Sequence, residues 1–533
     1  MNTVSAKSTG EFGGETTVLH RTASRWQTAA HMTPIDPADP PIEDPGRAIQ
    51  DSPTAKSANL GKQTLWNYTV FAISKSSTLL MTVVVARLLT PAEFGIFALA
   101  LLLVNLFDYV KDLGVAESLI QSHRPWNRIA PTGLTLSIGF GVIAGAVLAA
   151  TAGIAANLLH HPDLAPLIRV LAIALMISAL SVVPLSWLRR DLNFQRRLLP
   201  EFVGAVVKTG LTIWLAATGH GVWSLVYGQL AGVLITAIMY WWVAPTFMWP
   251  RFQLDEAKAL LQFGIPVTGV TLLAYAIYNV DYLAVGTRLG TTELGLYTLA
   301  YRVPELVVLN LCSVISDVLF SSMSRLQHER EAMSSQYQKA LSIVLALTVP
   351  AGVGLAVVAG PLLHVLYGTQ YDGAKNILIV LALYTAVYSA SFHAGDVFKA
   401  AGRPGLLTAI NAAKLVLLLG PIWWAAGHSA TLVAVALLSV ELVHFVIRMT
   451  VVRRVIPLRW TQILCVVGRP VAAAIPMAAI LVGIGLLVSH WSAPVQLALL
   501  IPLGMVIYAA ALCVTAPQLA RPLAGRLAGR LRT

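Results

Sequence analysis

The chain has 533 residues, of which 56% are hydrophobic and only 12% charged, with a formal net charge of +12 and a mean hydropathy of +0.71. So few charges exclude an ordinary soluble multidomain protein of this length, and most of the chain is expected to be dissolved in lipid. The positive charge then bears on membrane topology, and nucleic-acid binding is not expected.

Residues 1–57 are polar and spotted with proline, as in PIDPADPPIEDP at 34–45. They hold no apolar stretch able to act as a signal peptide and are expected to form a disordered cytoplasmic tail. From about residue 63 the chain is a series of apolar runs with short polar breaks. A spanning helix needs roughly 20 such residues. The runs near 65–87, 93–120, 131–159, 167–188, 202–218, 222–245, 260–286, 293–320, 339–364, 373–398, 404–425, 428–448, 467–489 and 493–516 predict about fourteen spans in an all-α polytopic membrane protein. Cys312, Cys465 and Cys513 lie within or beside these runs and read as small apolar residues. Trp66, Trp187, Trp223, Trp241, Trp242, Trp460 and Trp491 stand near run ends, where amphipathic rings anchor a helix at the headgroups.

Lys and Arg sort between alternate breaks. One set holds Arg124 and Arg128; Arg189, Arg190, Arg196 and Arg197; Arg251 and Lys258; Arg325 and Arg330; Lys399 and Arg403; Arg453, Arg454 and Arg459; and the basic tail at 517–533. The other set holds little beyond Arg87, Arg169, Arg288 and Lys375. The positive-inside rule makes the first set cytoplasmic and puts both termini inside. No break exceeds roughly two dozen residues, which leaves no room for an extramembrane catalytic domain. There is no Walker A motif, no Cys/His metal spacing and no Ser-His-Asp candidate outside lipid, so neither catalysis, a metal nor a cofactor is expected.

The segment VARLLTPAEFGIFALA at 85–100 returns as VGTRLGTTELGLYTLA at 285–300, placing Glu93 on Glu293 and Gly95 on Gly295. A second echo relates LIRVLAI at 167–173 to ILIVLAL at 377–383. Both matches shift the span number by six, an even number, so the halves are expected to run parallel. The organisation this predicts is an N-terminal six-helix lobe at 58–250, a C-terminal six-helix lobe at 251–460 and two additional helices at 461–516. A carboxylate at Glu93 and Glu293 suits the positive end of a helix dipole, and Gly95 and Gly295 suit close packing.

An ionisable side chain at bilayer depth costs several kcal/mol, so each one is a candidate for function. Asp108, Lys111 and Asp112 share one face of the second run at i, i+3 and i, i+4 spacing, and Arg302 and Glu305 do so in the eighth. These read as a salt-bridge fastening or an ion-coupling group, as does Asp281 in the seventh run. Glu441 and His444 share a face of the twelfth. Lys75, Lys208 and Lys414 have no opposite charge at helical spacing, and an unpaired lysine facing a hydrated cavity suits an anionic cargo. With Arg302 they are the candidate substrate-binding residues.

The run ARLLTPAEFGIFALA followed by DLGVAESLIQ, and NVDYLAVGTRLGTTELGLYTLAYRV followed by LFSSMSRLQ, resemble the Wzx-type polysaccharide-transporter branch of the multidrug/oligosaccharidyl-lipid/polysaccharide (MOP) flippase superfamily. The resemblance spans roughly residues 60–460. It implies two six-helix lobes in an inner membrane, carrying undecaprenyl-diphosphate-linked oligosaccharide units outward by alternating access through a cationic central cavity. The glycan would be an exopolysaccharide, capsule or O-antigen, and the partners would be membrane lipids, a polysaccharide polymerase and glycosyltransferases. An ion-coupled exporter of small molecules shares the superfamily fold and would favour acidic residues in the cavity. A glycan polymerase or ligase is disfavoured by the short loops.

Overall fold

The computed structural model describes residues 79–191, 194–244, 248–327 and 329–517. Lys75, most of the first expected span, the N-terminal tail and nearly all of the C-terminal tail lie outside these residues. Among the described residues every regular element is helical, as an apolar solvent demands when a backbone must satisfy its own hydrogen bonds. A short helical segment at 79–86 (α1) leads to α2 (Pro91–Asp112), α3 (Val115–Gln121), α4 (Trp126–Leu158), α5 (Leu164–Ala179), α6 (Val182–Arg190), α7 (Phe194–Ala217) and α8 (Val222–Val243). The long α9 (Leu254–Arg288) opens a second series. It continues with α10 (Thr291–Pro304), a π-turn at Glu305–Leu309, α11 (Asn310–Ser324), α12 (Arg330–Val357), α13 (Ala359–Tyr367), α14 (Lys375–Phe392), α15 (Ala394–Ala400), α16 (Pro404–Ala425) and α17 (Ala430–Val455). Last come α18 (Trp460–Leu487) and α19 (Ala493–Thr515).

Among the described residues eleven helices are long and apolar enough to cross a membrane, or twelve if α5 and α6, bent by 42°, form one span. The expected fourteen are therefore not reached. The first expected span falls mostly outside the described residues, and the eighth is not one uniform helix. Pro304 lacks an N–H and its ring crowds the turn before it, and the chain opens into the π-turn directly after it. The expected run at 93–120 is likewise broken, because Leu113 (φ 41°) and Gly114 (φ 70°) take left-handed backbone between α2 and α3.

The two series pack alike. In the first, α5 packs against α2, α4 and α8, and α7 against α8; in the second, α14 packs against α10, α12 and α17, and α16 against α17. The segments matched in sequence at 167–173 and 377–383 lie in these two central helices, α5 and α14, and each is followed by a short broken-off helix, α6 or α15. The last two helices pair with each other, and α18 lies against α12.

The Glu-x-Gly copies meet where α2 crosses α10. A Cβ on Gly95 would overlap the Thr291 carbonyl, and one on Gly295 the Pro91 carbonyl, so backbone rests on backbone at both positions. Glu93 accepts hydrogen bonds from the Thr90 backbone N–H at 2.8 Å and the Thr90 hydroxyl at 2.9 Å, closing a capping box at the start of α2. At the second copy Gly290 (φ 89°) occupies the cap position instead. A further crossing sets Gly114 against Gly264 of α9, again with no space for a Cβ.

Gly95→Val and Gly295→Val are each expected to lower the thermal midpoint of detergent-purified protein, since overpacking costs about 1–3 kcal/mol or more. Gly139→Ala, at a position with nothing within 4 Å of a built Cβ, should leave the midpoint in place. Valine variants that melt with this control would show that the crossing does not join the two series.

Candidate transport cavities

Two cavities lie in series along α2 and α9. The first, of about 510 Å³, is lined by Asp108, Lys111 and Asp112 of α2, Glu117 of α3, Arg189 of α6, Lys208 of α7, Gln229 of α8, and Thr268 and Thr271 of α9. The helical spacing of Asp108, Lys111 and Asp112 does bring all three to one cavity. Lys111 pairs with Asp108, and the Ser178 hydroxyl donates to the same carboxylate at 3.2 Å. Asp112 accepts the Ala116 N–H at 3.2 Å across the α2–α3 break.

Lys208 donates from Nζ to Oε1 of Gln229 at 2.6 Å and makes no ion pair among the described residues. Arg189 brings a second cation whose buried Nε has no partner among them. The sequence reading placed Arg189 among the basic residues of a break, and nothing in its neighbourhood separates it from Arg190. Arg189 lies on α6, beyond the 42° bend from α5, and lines the cavity from there. Counted formally, Lys111, Arg189 and Lys208 stand against Asp108, Asp112 and Glu117. The expected cationic cavity is thus a charge-balanced one, because the same helix faces that deliver cations also deliver carboxylates.

The second cavity, of about 530 Å³, is lined by Asn105 of α2, Tyr278, Asn279 and Tyr282 of α9, Tyr301 and Arg302 of α10, Glu305 and Asn310 beyond it, and Tyr388 of α14. Arg302 and Glu305 pair at 3.0 Å, as their spacing suggested. The hydroxyls of Tyr278 and Tyr388 lie 2.6 Å apart. These tyrosines escaped the sequence reading, since an aromatic residue inside an apolar run ordinarily signals core. Along α2, positions 98–105 line the second cavity and 108–112 the first; along α9, positions 267–271 line the first and 278–282 the second. Tyr275 falls between the two sets. Its ring lies 5.3 Å from that of Tyr109, and its hydroxyl donates to the Leu102 carbonyl at 2.5 Å.

Two of the expected residues line neither cavity. Asp281 is buried against α10, accepting the Tyr297 hydroxyl at 2.7 Å, and its other oxygen has no partner among the described residues. Lys414 is 3% exposed and pairs at 2.5 Å with Glu441, which is fully buried and also accepts the Ser391 hydroxyl at 2.5 Å. The Lys414 ammonium lies 5.0 Å over the Tyr388 ring. The expectation of an unpaired Lys414 is therefore corrected: its partner stands on the neighbouring helix, where spacing along one helix cannot reveal it. At the end of α9 that begins near Arg251, buried Glu256 accepts from Arg124 at 2.5 Å and forms an ion pair with Arg128 at 2.6 Å, and the Ser118 hydroxyl donates to the Leu260 carbonyl at 2.7 Å. These bonds tie the first series to α9.

The model of a family described as polysaccharide biosynthesis protein matches residues 84–376, more than half of the chain. The chain belongs to this family. Family relatives by sequence include the lipopolysaccharide biosynthesis protein WzxC of Escherichia coli (strain K12), 23% identical over 67% of this chain and 73% of that protein. The succinoglycan biosynthesis transport protein ExoT of Rhizobium meliloti (strain 1021) is 26% identical over 89% of this chain and 96% of that protein. In fold, this family member is similar to the lipid II flippase MurJ in an inward closed conformation, with a TM-score of 0.70 at 14% identity, covering 85% of this chain and 99% of that one.

Lys414→Ala should destabilise the purified protein by about 3–5 kcal/mol, the usual consequence of leaving one member of a buried pair uncompensated. The double variant Lys414→Met with Glu441→Leu should recover most of the loss in thermal melting. Equal melting of the single and double variants would show that the pair does not act as a unit.

Proposed function

We propose that this chain is a flippase that moves undecaprenyl-diphosphate-linked oligosaccharide units across the inner membrane for polysaccharide biosynthesis, with no chemical step of its own. The observation that carries this reading is the pair of cavities in series, one rich in charge and the other lined by tyrosines and amides. A diphosphate needs charge-assisted donors, which Lys208 and Arg189 supply without a carboxylate partner of their own. Sugar rings present C–H faces that stack on aromatic rings and hydroxyls that pair with amides and phenols, which is what Tyr278, Tyr282, Tyr301, Asn105 and Asn279 offer. Arg302, already paired, serves the sugar end more than the diphosphate. The roles of WzxC in lipopolysaccharide biosynthesis, of ExoT in succinoglycan transport and of MurJ as a lipid II flippase support the same cargo class.

The working unit is an N-terminal lobe at 58–250 and a C-terminal lobe at 251–460, with helices 461–516 appended. Glu256 with Arg124 and Arg128 closes the basic, cytoplasmic side between them. A polymerase and glycosyltransferases are the partners at either end of the transport step.

The test is transport of lipid-linked oligosaccharide into reconstituted vesicles. Lys208→Gln and Arg189→Gln should each slow it at least about tenfold, as expected for a lost bond to a charged group. Tyr278→Ala and Tyr301→Ala should slow the oligosaccharide-bearing lipid while sparing undecaprenyl diphosphate alone. Full rates in all four variants would remove the cavities from the path. For orientation, a cysteine placed at His161 should react with an impermeant maleimide from outside the cell and one at Arg403 should not; the reverse pattern would invert the topology.

A further inference from the structure

A third cavity, of about 1090 Å³, is larger than either chamber and shares no lining residue with them. Its walls are α12, the end of α17 and the start of α18. Lys339, Arg453, Arg459 and Arg469 face it with Glu331 as the single carboxylate. One of the cations belongs to the framework: Arg453 donates to the Leu458 carbonyl at 3.0 Å and stacks 5.2 Å from the Trp460 ring. The Ser334 hydroxyl fixes the opposite wall by donating to the Pro457 carbonyl at 2.7 Å. Lys339, Arg459 and Arg469 are exposed and form no ion pair among the described residues.

Depth gives these three their meaning. Glu331 at the start of α12 and Arg459 at the start of α18 line one cavity, so both helices enter the membrane from the same face. Lys339 and Arg469 each stand nine residues along their helix, roughly 14 Å from its start at 1.5 Å per residue, where the apolar runs at 339–364 and 467–489 begin. An exposed cation at that boundary lies at the level of the headgroups and can hold an anion there. Beyond Lys339 the same stripe of α12 turns apolar: Ile343 and Leu347, at i+4 and i+8, are 52% and 49% exposed. A cationic pocket continuing into bare aliphatic wall has the polarity profile of a phospholipid, headgroup first and chains after.

We infer that this cavity binds the phosphoryl headgroup of an anionic membrane lipid, which stays as a resident and fastens α18 to α12. Basic pockets between membrane helices at one bilayer face take such headgroups. The lipid is distinct from the transported cargo, because the cavity lies apart from both chambers.

The experiment uses the full chain, purified and delipidated, with native mass spectrometry and thermal melting. Phosphatidylglycerol, phosphatidylcholine of the same chains and inorganic pyrophosphate are added in separate arms. Phosphatidylglycerol should appear as a retained adduct and raise the melting midpoint, whereas phosphatidylcholine should do neither. Combining Lys339→Gln, Arg459→Gln and Arg469→Gln should weaken phosphatidylglycerol about a hundredfold, near fivefold for each charge removed. Should the triple variant fail to fold, Lys339→Gln and Arg469→Gln are measured singly against the fivefold expectation. Equal retention of phosphatidylcholine would overturn the headgroup site, as would wild-type affinity in the variants. Stabilisation by pyrophosphate matching that of the lipid would reassign the pocket to a soluble anion.

Discussion

A charge in an apolar medium must be paired, hydrated or bound to a ligand, and this constraint orders the interior of the protein. Asp108 with Lys111, Arg302 with Glu305 and Lys414 with Glu441 obey it by pairing. Glu256 obeys it by receiving two arginines. With those pairs set aside, buried Arg448 is held by the Ser391 carbonyl and the Asn411 side chain, while Lys208 and Arg189 line one chamber and Lys339, Arg459 and Arg469 line the groove beside α18. Their positions separate the groups that hold helices together from those available to a ligand.

The repeat supplies the frame for that separation. Its two copies cross with backbone against backbone at Gly95 and Gly295, and the helices around each copy adopt the same neighbours. The content of the frame has diverged. At the offset of two hundred residues Leu102 corresponds to Arg302, and the first chamber is built of ionic groups where the second is built of phenols and amides. A symmetric frame with asymmetric lining suits a cargo whose two ends differ in chemistry.

Much of this was legible in the sequence because hydropathy and helical spacing are local properties. The apolar runs correspond to the helices, the face shared by Asp108, Lys111 and Asp112 lies on a cavity, and the Arg302–Glu305 pair forms as spaced. What escaped depends on which helix stands beside which. Glu441 reaches Lys414 from the next helix, Arg189 lines the first chamber from beyond a bend, and Tyr278 and Tyr388 meet across 110 positions of chain. The span count suffered for a related reason, since Pro304 interrupts a run whose average hydropathy gives no sign of a break.

The balance of charge in the first chamber bears on how the cell's membrane voltage acts on the carrier. Three cations and three carboxylates leave the empty chamber formally neutral, so its return across the bilayer moves no net charge on that account. Under the proposed function a diphosphate held there would make the loaded form anionic, and a cell interior held negative would drive it outward with about 2.3 kcal/mol per charge for each 100 mV. Voltage would thus act on the filled chamber and spare the empty one.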